Sequence, residues 1–337
     1  MASPTSAVGI AALSCATLAF AAMPGCAGSG TNADYYSEAA GTSPLPLARS
    51  GVPLEAKAVP LVSVRRARSS AEVFVSDSLD NVVKGYDQRT GDLVLELTGF
   101  NTPEGLASDA LGNIYVADSG NQRVLVFAPG ATEPFLTLDD SGWYPTGVAV
   151  SNDGEVAVTN NTSQGSLPGS VTFFKRGHSN VFREFDGALF AFPYFCAYDA
   201  QGKLYLDAVS IGGRTGVFEV ARDARSGTIK SLGIRNIRFP GAVQVDDNGK
   251  LLVLDQYSST IFTYVPPSRQ PKGTLKLTGA GDAVTFALIS NDKALYVADQ
   301  QYGTVLLYPF PAGGSPTQQI TVGGLPLGIA VTPWSAP

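Results

Sequence analysis

The sequence is poor in charged residues and in the side chains that carry most enzyme and metal chemistry. Asp, Glu, Lys and Arg make up 15% of its 337 residues, and it contains one histidine, His178. A lone imidazole argues against histidine-ligated metals and histidine proton relays. The net charge is −6, and the basic cluster Arg65, Arg66 and Arg68 lies in a segment typical of a linker. We therefore expect no nucleic-acid partner.

Cysteine is also scarce. The three cysteines, Cys15, Cys26 and Cys196, are too few for a disulfide framework. Two of them fall near the N-terminus, and Cys196 lies inside the apolar run of residues 192–198. The single histidine falls in a polar turn of another segment, so no base is at hand to activate the thiol. We expect Cys196 to be a small buried residue.

The apolar run at residues 8–22 is too short for a membrane span of about 20 residues. It is typical of the hydrophobic region of a secretory signal, although residues 1–7 carry no Lys or Arg. The run ends in Met23-Pro24-Gly25-Cys26, which resembles a bacterial lipobox. That resemblance implies a signal peptide over residues 1–26 and a lipid anchor on Cys26. The alternative is cleavage nearby and release, so we expect a cell-envelope, periplasmic or secreted protein.

Residues 27–70 are rich in Ala, Gly, Ser and Pro and show no sustained hydrophobic period. Such composition is typical of a flexible linker. We expect this segment to hold the following domain away from the point of attachment.

The remainder is rich in glycine and proline, with 37 and 22 residues in the whole chain, and in short runs of Val, Leu, Tyr and Phe. This combination is typical of short β-strands joined by tight turns. The run at residues 112–118, Gly-Asn-Ile-Tyr-Val-Ala-Asp, is one of six related segments. They lie 41 to 48 residues apart and end at Asp77, Asp118, Asn160, Ala208, Asp255 and Asp299.

A second motif, Pro-x-Gly-φ-Ala, precedes each later segment. Its copies begin at Pro103, Pro145, Pro193 and Pro240, a degenerate copy occupies residues 284–288, and a last copy begins at Pro326. Each unit contains four short apolar runs, and no window shows a helical period. The pattern predicts an all-β, six-bladed β-propeller over residues 72–333, with four antiparallel strands per blade.

The phase of the two motifs also predicts how the ring closes. The chain enters the array at the second strand of a blade and leaves it after a first strand. The C-terminal strand should therefore complete the N-terminal blade and leave no open edge. We expect the protein to be a monomer.

The motif at residues 103–124, Pro-x-Gly-φ-Ala followed by Gly-Asn-Ile-Tyr-Val-Ala-Asp-Ser-Gly-Asn-x-Arg-Val, resembles the NHL repeat. The array is more loosely similar to gluconolactonase-type propellers, a resemblance that implies a divalent cation at the axis, held by carboxylates and amides of several blades. The residues in the x place are Glu104, Thr146, Tyr194, Gly241, Thr285 and Leu327. Because Glu104 alone is acidic, we expect no catalytic centre, metal or cofactor. A lactonase-like hydrolase built around Glu104 is the alternative.

The acids that end the second strands are interpreted as structural. Asp or Asn occupies this place in five of the six units, with Ala208 as the exception. Their side chains can accept hydrogen bonds from the backbone of the following turn. A role needed once per blade indicates turn building and not catalysis.

Function is expected where the repeats differ. The starts of the first strands and the ends of the second strands share one face, and the longest intervals add loop length at residues 162–170 and 209–216. Phe192 and Asn161 lie beside these loops. We expect a protein, peptide or glycan to bind at this channel-mouth face, so that the propeller is a non-enzymatic binding or scaffolding module. The predicted ligand-binding residues are Glu104, Trp143, Tyr144, Tyr194, Arg214, Tyr257 and Tyr302. The alternative is that most of these rings pack between blades.

Overall fold

The computed structural model describes residues 71–163, 168–186, 190–222, 229–289 and 293–332. All of them belong to the second of the two units into which the chain divides, Gly51–Pro337. The expected signal peptide, the lipobox residue Cys26 and the linker over residues 27–70 lie outside the described residues.

The described residues form six antiparallel four-stranded sheets, here called blades and numbered along the chain. Blade 1 consists of β1 (Glu72–Asp77), β2 (Val82–Asp87) and β3 (Leu93–Leu97), with the C-terminal strand β24 (Pro326–Val331) beside β1. Blade 2 consists of β4 (Pro103–Ser108), β5 (Ile114–Asp118), β6 (Arg123–Phe127) and β7 (Leu136–Asp139). Blade 3 consists of β8 (Trp143–Val150), β9 (Val156–Ser163), β10 (Ser170–Phe174) and β11 (Val181–Asp186).

The other three blades repeat this order. Blade 4 consists of β12 (Phe190–Tyr198), β13 (Leu204–Ser210), β14 (Thr215–Val220) and β15 (Ile229–Ser231). Blade 5 consists of β16 (Pro240–Val245), β17 (Leu251–Asp255), β18 (Thr260–Tyr264) and β19 (Gly273–Lys276). Blade 6 consists of β20 (Ala283–Leu288), β21 (Ala294–Asp299), β22 (Thr304–Pro309) and β23 (Gln318–Thr321). Short 3₁₀ turns occupy Ser119–Asn121 and Gln256–Ser258. The six-bladed prediction is confirmed.

Apolar side chains between neighbouring blades hold the ring together. Phe74 of blade 1 shares an apolar cluster with Val116 of blade 2. On the other side of blade 1, Val73 shares a cluster with Tyr296 of blade 6. Every residue of β5 is buried, because each sheet lies between two others and both of its faces are covered. The apolar runs that predicted the strands are therefore explained by burial on both faces.

The first strands of the blades, β24, β4, β8, β12, β16 and β20, lie side by side around the axis. In three blades the glycine of the Pro-x-Gly motif makes this close approach possible. A Cβ on Gly105 would lie 2.5 Å from the carbonyl oxygen of Thr146, and one on Gly147 would lie 2.5 Å from that of Tyr194. Gly328 is similarly confined against the Glu104 backbone. In blades 4, 5 and 6 the same place holds Phe195, Ala242 and Thr285.

The ring closes as the sequence predicts. Strand β24 pairs antiparallel with β1, with Val331 opposite Val73 and Ile329 opposite Val75. The backbone N–H of Glu72 also donates a hydrogen bond to the Thr332 hydroxyl over 2.8 Å. Residues separated by about 250 positions in the chain are thus neighbours in one blade.

The register of blade 6 corrects one detail of the sequence reading. Ala283 lies opposite Asp299, as Pro103 lies opposite Asp118 in blade 2. The degenerate motif therefore begins at Ala283, and Val284 occupies its x place. The prediction that Thr285 occupies the x place is wrong by one residue, because alanine replaces the proline that marks the motif in the other blades.

Candidate functional site

The linkers into the first strands and the turns after the second strands meet at one end of the ring, the channel-mouth face. In blade 2 the backbone N–H of Ser119 donates to the Thr102 carbonyl over 3.2 Å. In blade 5 the N–H of Gln256 donates to the Phe239 carbonyl over 3.3 Å. Each turn is thus fixed against the linker of its own blade, and the strand order places the predicted site residues at this end.

The acids that end the second strands fix these linkers. The Asp118 carboxylate accepts a hydrogen bond from the Asn101 N–H over 2.7 Å. The Asp255 carboxylate accepts hydrogen bonds from the N–H groups of Arg238 and Phe239 over 2.9 and 3.0 Å. Asp77 and Asp299 make equivalent bonds in blades 1 and 6. The role is structural, but its principal donors lie in the preceding linker and not in the following turn.

Blade 4 departs from this rule because Ala208 occupies the acidic place. The neighbouring Asp207 accepts a hydrogen bond from the Phe195 N–H over 2.9 Å instead. Its second carboxyl oxygen has no hydrogen-bond partner among the described residues. Burial raises the pKa of Asp207 well above its usual value, which favours the neutral acid.

Glu104 is buried at the seam between blades 2 and 3. Burial raises the pKa of its carboxyl to about 8, although hydrogen bonds with Ser119 and Thr146 oppose the rise. Its side chain is 6% exposed overall. No group of three or more His, Cys, Asp and Glu side chains that could hold a metal occurs in the described part of the chain. Glu104 therefore lacks the further carboxylates that a lactonase-type cation site would use.

The ring axis is narrow and mainly apolar. A gap of about 30 Å³, enough for a single water, is lined by residues that include Leu106, Val148, Cys196 and Phe286. Cys196 is buried as predicted, and burial raises the pKa of its thiol to about 12. His178 lies exposed in a turn at the opposite face. A ligand larger than water would have to bind at the rim and not inside the channel.

Aromatic and arginine side chains form a contiguous cluster at the seam of blades 4 and 5. The rings of Tyr194 and Phe239 meet edge to face with centroids 5.9 Å apart. The Arg238 guanidinium lies over the Tyr257 ring, 4.0 Å from its centroid. The Thr215 hydroxyl donates to the Arg238 carbonyl over 3.1 Å, which brings the adjacent Arg214 to the same place. We call Tyr194, Arg214, Arg238, Phe239 and Tyr257 the seam cluster.

Both arginines of the seam cluster are exposed and uncompensated by acids. Neither Arg214 nor Arg238 takes part in an ion pair among the described residues. Asp255 fixes the backbone of Arg238, so the guanidinium rests on a rigid support. Sequence reasoning missed Arg238 and Phe239, although they directly precede the motif residue Pro240.

The remaining predicted residues share the face but belong to other blades. Trp143 and Tyr144 are half-buried in β8 of blade 3. Tyr302 is exposed in blade 6. The structure therefore brings together three of the predicted residues, Tyr194, Arg214 and Tyr257, and places the other four elsewhere on the ring.

The two predicted long loops are partly continued strands. In blade 3 the ladder extends to a pair between Trp143 and Ser163, and residues 164–167 of the loop lie outside the described residues. In blade 4 it extends beyond a pair between Phe192 and Val209, and a tight turn then exposes Ile211. The two blades are also joined at this end by main-chain contact, since the Gly169 N–H donates to the Ala191 carbonyl over 2.8 Å.

Comparison with known families matches residues 100–127 to the NHL repeat. Blade 2 is an NHL repeat. The resemblance on which the fold was predicted is thereby confirmed in the blade that carries the fullest motif. A search of curated proteins found no match.

Solved structures share the fold of the NHL-repeat propeller at low sequence identity. A chain of a nidogen/laminin complex is 15% identical, with a TM-score of 0.64, over 79% of this chain and 100% of that one. A Bacteroides caccae protein of unknown function is 13% identical, with a TM-score of 0.60, over 78% and 99%. Kuenenia stuttgartiensis hydrazine synthase is 16% identical, with a TM-score of 0.53, over 70% and 72%.

The seam cluster lies away from the NHL repeat of blade 2. Blade 4 differs from the NHL pattern both at Ala208, in the acidic place, and at Phe195, in the glycine place. Since these changes affect the strands that carry Tyr194 and Arg214, the cluster coincides with the part of the ring in which the repeat is least regular.

Proposed function

We propose that this protein is a non-catalytic binding propeller and that the seam cluster receives a protein or peptide segment bearing carboxylates. The observation that carries the proposal is a pair of exposed, unpaired arginines held beside three aromatic rings. The function is placed at the rim because the axis has space for about one water.

The stacking of Arg238 on Tyr257 supports this choice of partner. A guanidinium that lies flat on a ring keeps its N–H groups directed outward along its edge, where they can bind a carboxylate in a two-point geometry. The Tyr257 ring supports the cation and limits the side-chain entropy lost on binding. Nearby Ile211 is 64% exposed and offers apolar contact area.

The fold alone does not choose between binding and catalysis. The structures that share it include a chain of a protein complex and an enzyme. Function must therefore be inferred from the site. The lactonase-like alternative is less well supported because Glu104 is buried in its hydrogen bonds with Ser119 and Thr146.

The proposal predicts measurable binding of a simple acidic probe. The probe is a fluorescein-labelled ten-residue peptide of alternating Glu and Gly, with a Lys-Gly peptide as the charge control. We expect Arg238→Ala to weaken binding about tenfold, the loss typical of one charged contact. Fluorescence anisotropy at two salt concentrations measures both affinity and its electrostatic component.

Arg176→Ala serves as the matched control, because Arg176 is also exposed but lies on the opposite face. It should bind the probe as the unaltered protein does. Equal binding by the Arg214→Ala/Arg238→Ala double variant, or absence of saturable binding at low salt, would contradict the assignment of the seam cluster.

We also propose that the chain is exported and anchored through Cys26. The support is the sequence of residues 1–26, since no described helix is long and apolar enough for a membrane crossing. Intact-mass analysis of the protein from a bacterial membrane fraction should show a chain that begins at Cys26 and carries a diacylglyceryl group. A Cys26→Ala chain should lack that mass and leave the membrane fraction. An unmodified chain beginning elsewhere would remove the anchor.

A further inference from the structure

Blade 3 contains an exchange of side chains that the other blades lack. In blades 1, 2, 5 and 6 an aspartate at the end of the second strand accepts hydrogen bonds from the linker backbone. In blade 3 that place holds Asn160, and the acid, Asp140, lies in the linker between β7 and β8. The carboxylate and the amide have in effect changed sides.

The exchange leaves acceptor atoms facing a space without donors. The Asn160 amide uses its N–H₂ group on the hydroxyls of Ser170 and Thr172, each over 3.2 Å. The Asn160 carbonyl oxygen and both oxygens of Asp140 have no hydrogen-bond partner among the described residues. Asp140 is 1% and Asn160 0% exposed. Buried polar atoms are nearly always paired, so three orphaned oxygens in one place require an explanation.

The charges around Asp140 deepen the problem. The Thr172 hydroxyl and the Asn160 amide lie close enough to affect its carboxyl, while the nearby charged groups Glu184 of β11 and Asp139 of β7 are both acidic. Other buried acids of the ring have a cation beside them. Asp77 pairs with Lys84 over 2.9 Å, and Asp118 pairs with Arg123 over 2.7 Å.

We propose that the Asp140 carboxylate and the Asn160 carbonyl, with the hydroxyls of Ser170 and Thr172 beside them, bind one hard, oxygen-preferring cation. Carboxylate, amide carbonyl and hydroxyl oxygens are ligands suited to Ca²⁺ or Na⁺ and unsuited to softer metals. The bound ion would connect the linker to β9, as a direct hydrogen bond does in the other blades. It would also neutralise the buried carboxylate, whose pKa burial otherwise raises to about 7.

The test is thermal unfolding of the full chain, treated with EDTA and dialysed into choline chloride at pH 8. CaCl₂, MgCl₂ and NaCl are then titrated at constant ionic strength. We expect one of these salts to raise the melting temperature saturably by several degrees. Asp140→Asn should abolish the rise, whereas Glu104→Gln, which alters a different buried acid, should retain it.

A second variant separates the cation from a bound proton or a rotated amide. Asn160→Asp adds a carboxylate, so it should tighten cation binding and lower stability when no cation is present. If no salt shifts the unfolding and Asp140→Asn melts higher than the unaltered protein at pH 8, Asp140 is a protonated acid and the cation site does not exist. A shift that survives in Asp140→Asn would place the ion elsewhere and also overturn the proposal. Should Asp140→Asn fail to fold, Asn160→Asp alone decides.

Discussion

A chain that ends at Gly323 should lose the cooperative unfolding transition of the entire ring, and not merely that of blade 1. The deletion removes β24, whose Leu327 and Ile329 are buried. Burial of two such side chains contributes about 3–6 kcal/mol. Domains are stable by about 5–15 kcal/mol in total. The loss of one strand therefore takes away a large share of the free energy of folding.

The effect should spread because β24 contacts three blades. It pairs with β1 in its own blade and lies beside β4 of blade 2 and β20 of blade 6. Its removal would expose apolar surface on each of them and would leave Asp77 without its bond from the Leu325 N–H. Circular dichroism and thermal melting of the shortened chain measure the outcome.

Two further chains separate the loss of the strand from the loss of length. A chain that ends at Thr332 keeps β24 and should melt like the full protein. A permuted chain that places residues 324–332 ahead of residue 71 through a short turn should restore folding, because the Glu72 N–H already contacts Thr332. If the chain ending at Gly323 melts normally, β24 does not close the ring.

Glu104→Gln should stabilise the protein at pH 8 by about 4 kcal/mol, the free energy of holding neutral an acid whose pKa rises from 4.5 to about 8. The unfolded chain ionises near pH 4.5, whereas the folded chain keeps the proton until about pH 8. Stability due to this group is therefore complete below pH 4.5 and is lost as the pH rises to 8. Glutamine retains the shape and hydrogen bonds but cannot ionise.

Denaturant unfolding at pH 5 and pH 8 measures the difference. The variant and the unaltered protein should differ by less than about 1 kcal/mol at pH 5 and diverge as the pH rises. Glu96→Gln, at an exposed position of β3, is the control and should show no such divergence. A Glu104→Gln protein less stable than the original at pH 8 would mean that the carboxylate is charged and bound, which would revive the metal-dependent alternative.

The fold could be predicted because two motifs keep their phase around the ring. The motifs coincide with physical requirements that recur in several blades, such as the glycine contact at Gly105 and the linker bonds of Asp118. Where a requirement is relaxed, the motif fades and so does the prediction. Ala283 replaces proline in blade 6, and the register inferred there was displaced by one residue.

The site could be predicted only in part, because its contacts join residues from different repeats. The positions of Tyr194, Arg214 and Tyr257 on one face follow from strand order. The pairing of Tyr194 with Phe239 depends on how a linker of blade 5 bends toward blade 4, and no local sequence pattern encodes that bend. The burial of Glu104 likewise depends on Thr146 of the neighbouring blade.

The completion of blade 1 by β24 has a consequence for how the molecule is made. During synthesis the first three strands of that blade emerge early, but their fourth strand leaves the ribosome last. Five blades can assemble beforehand, yet β1 must wait with an unpaired edge until translation ends, a condition that invites association with other chains. Maturation of this protein should therefore be a single late event that follows release of the finished polypeptide.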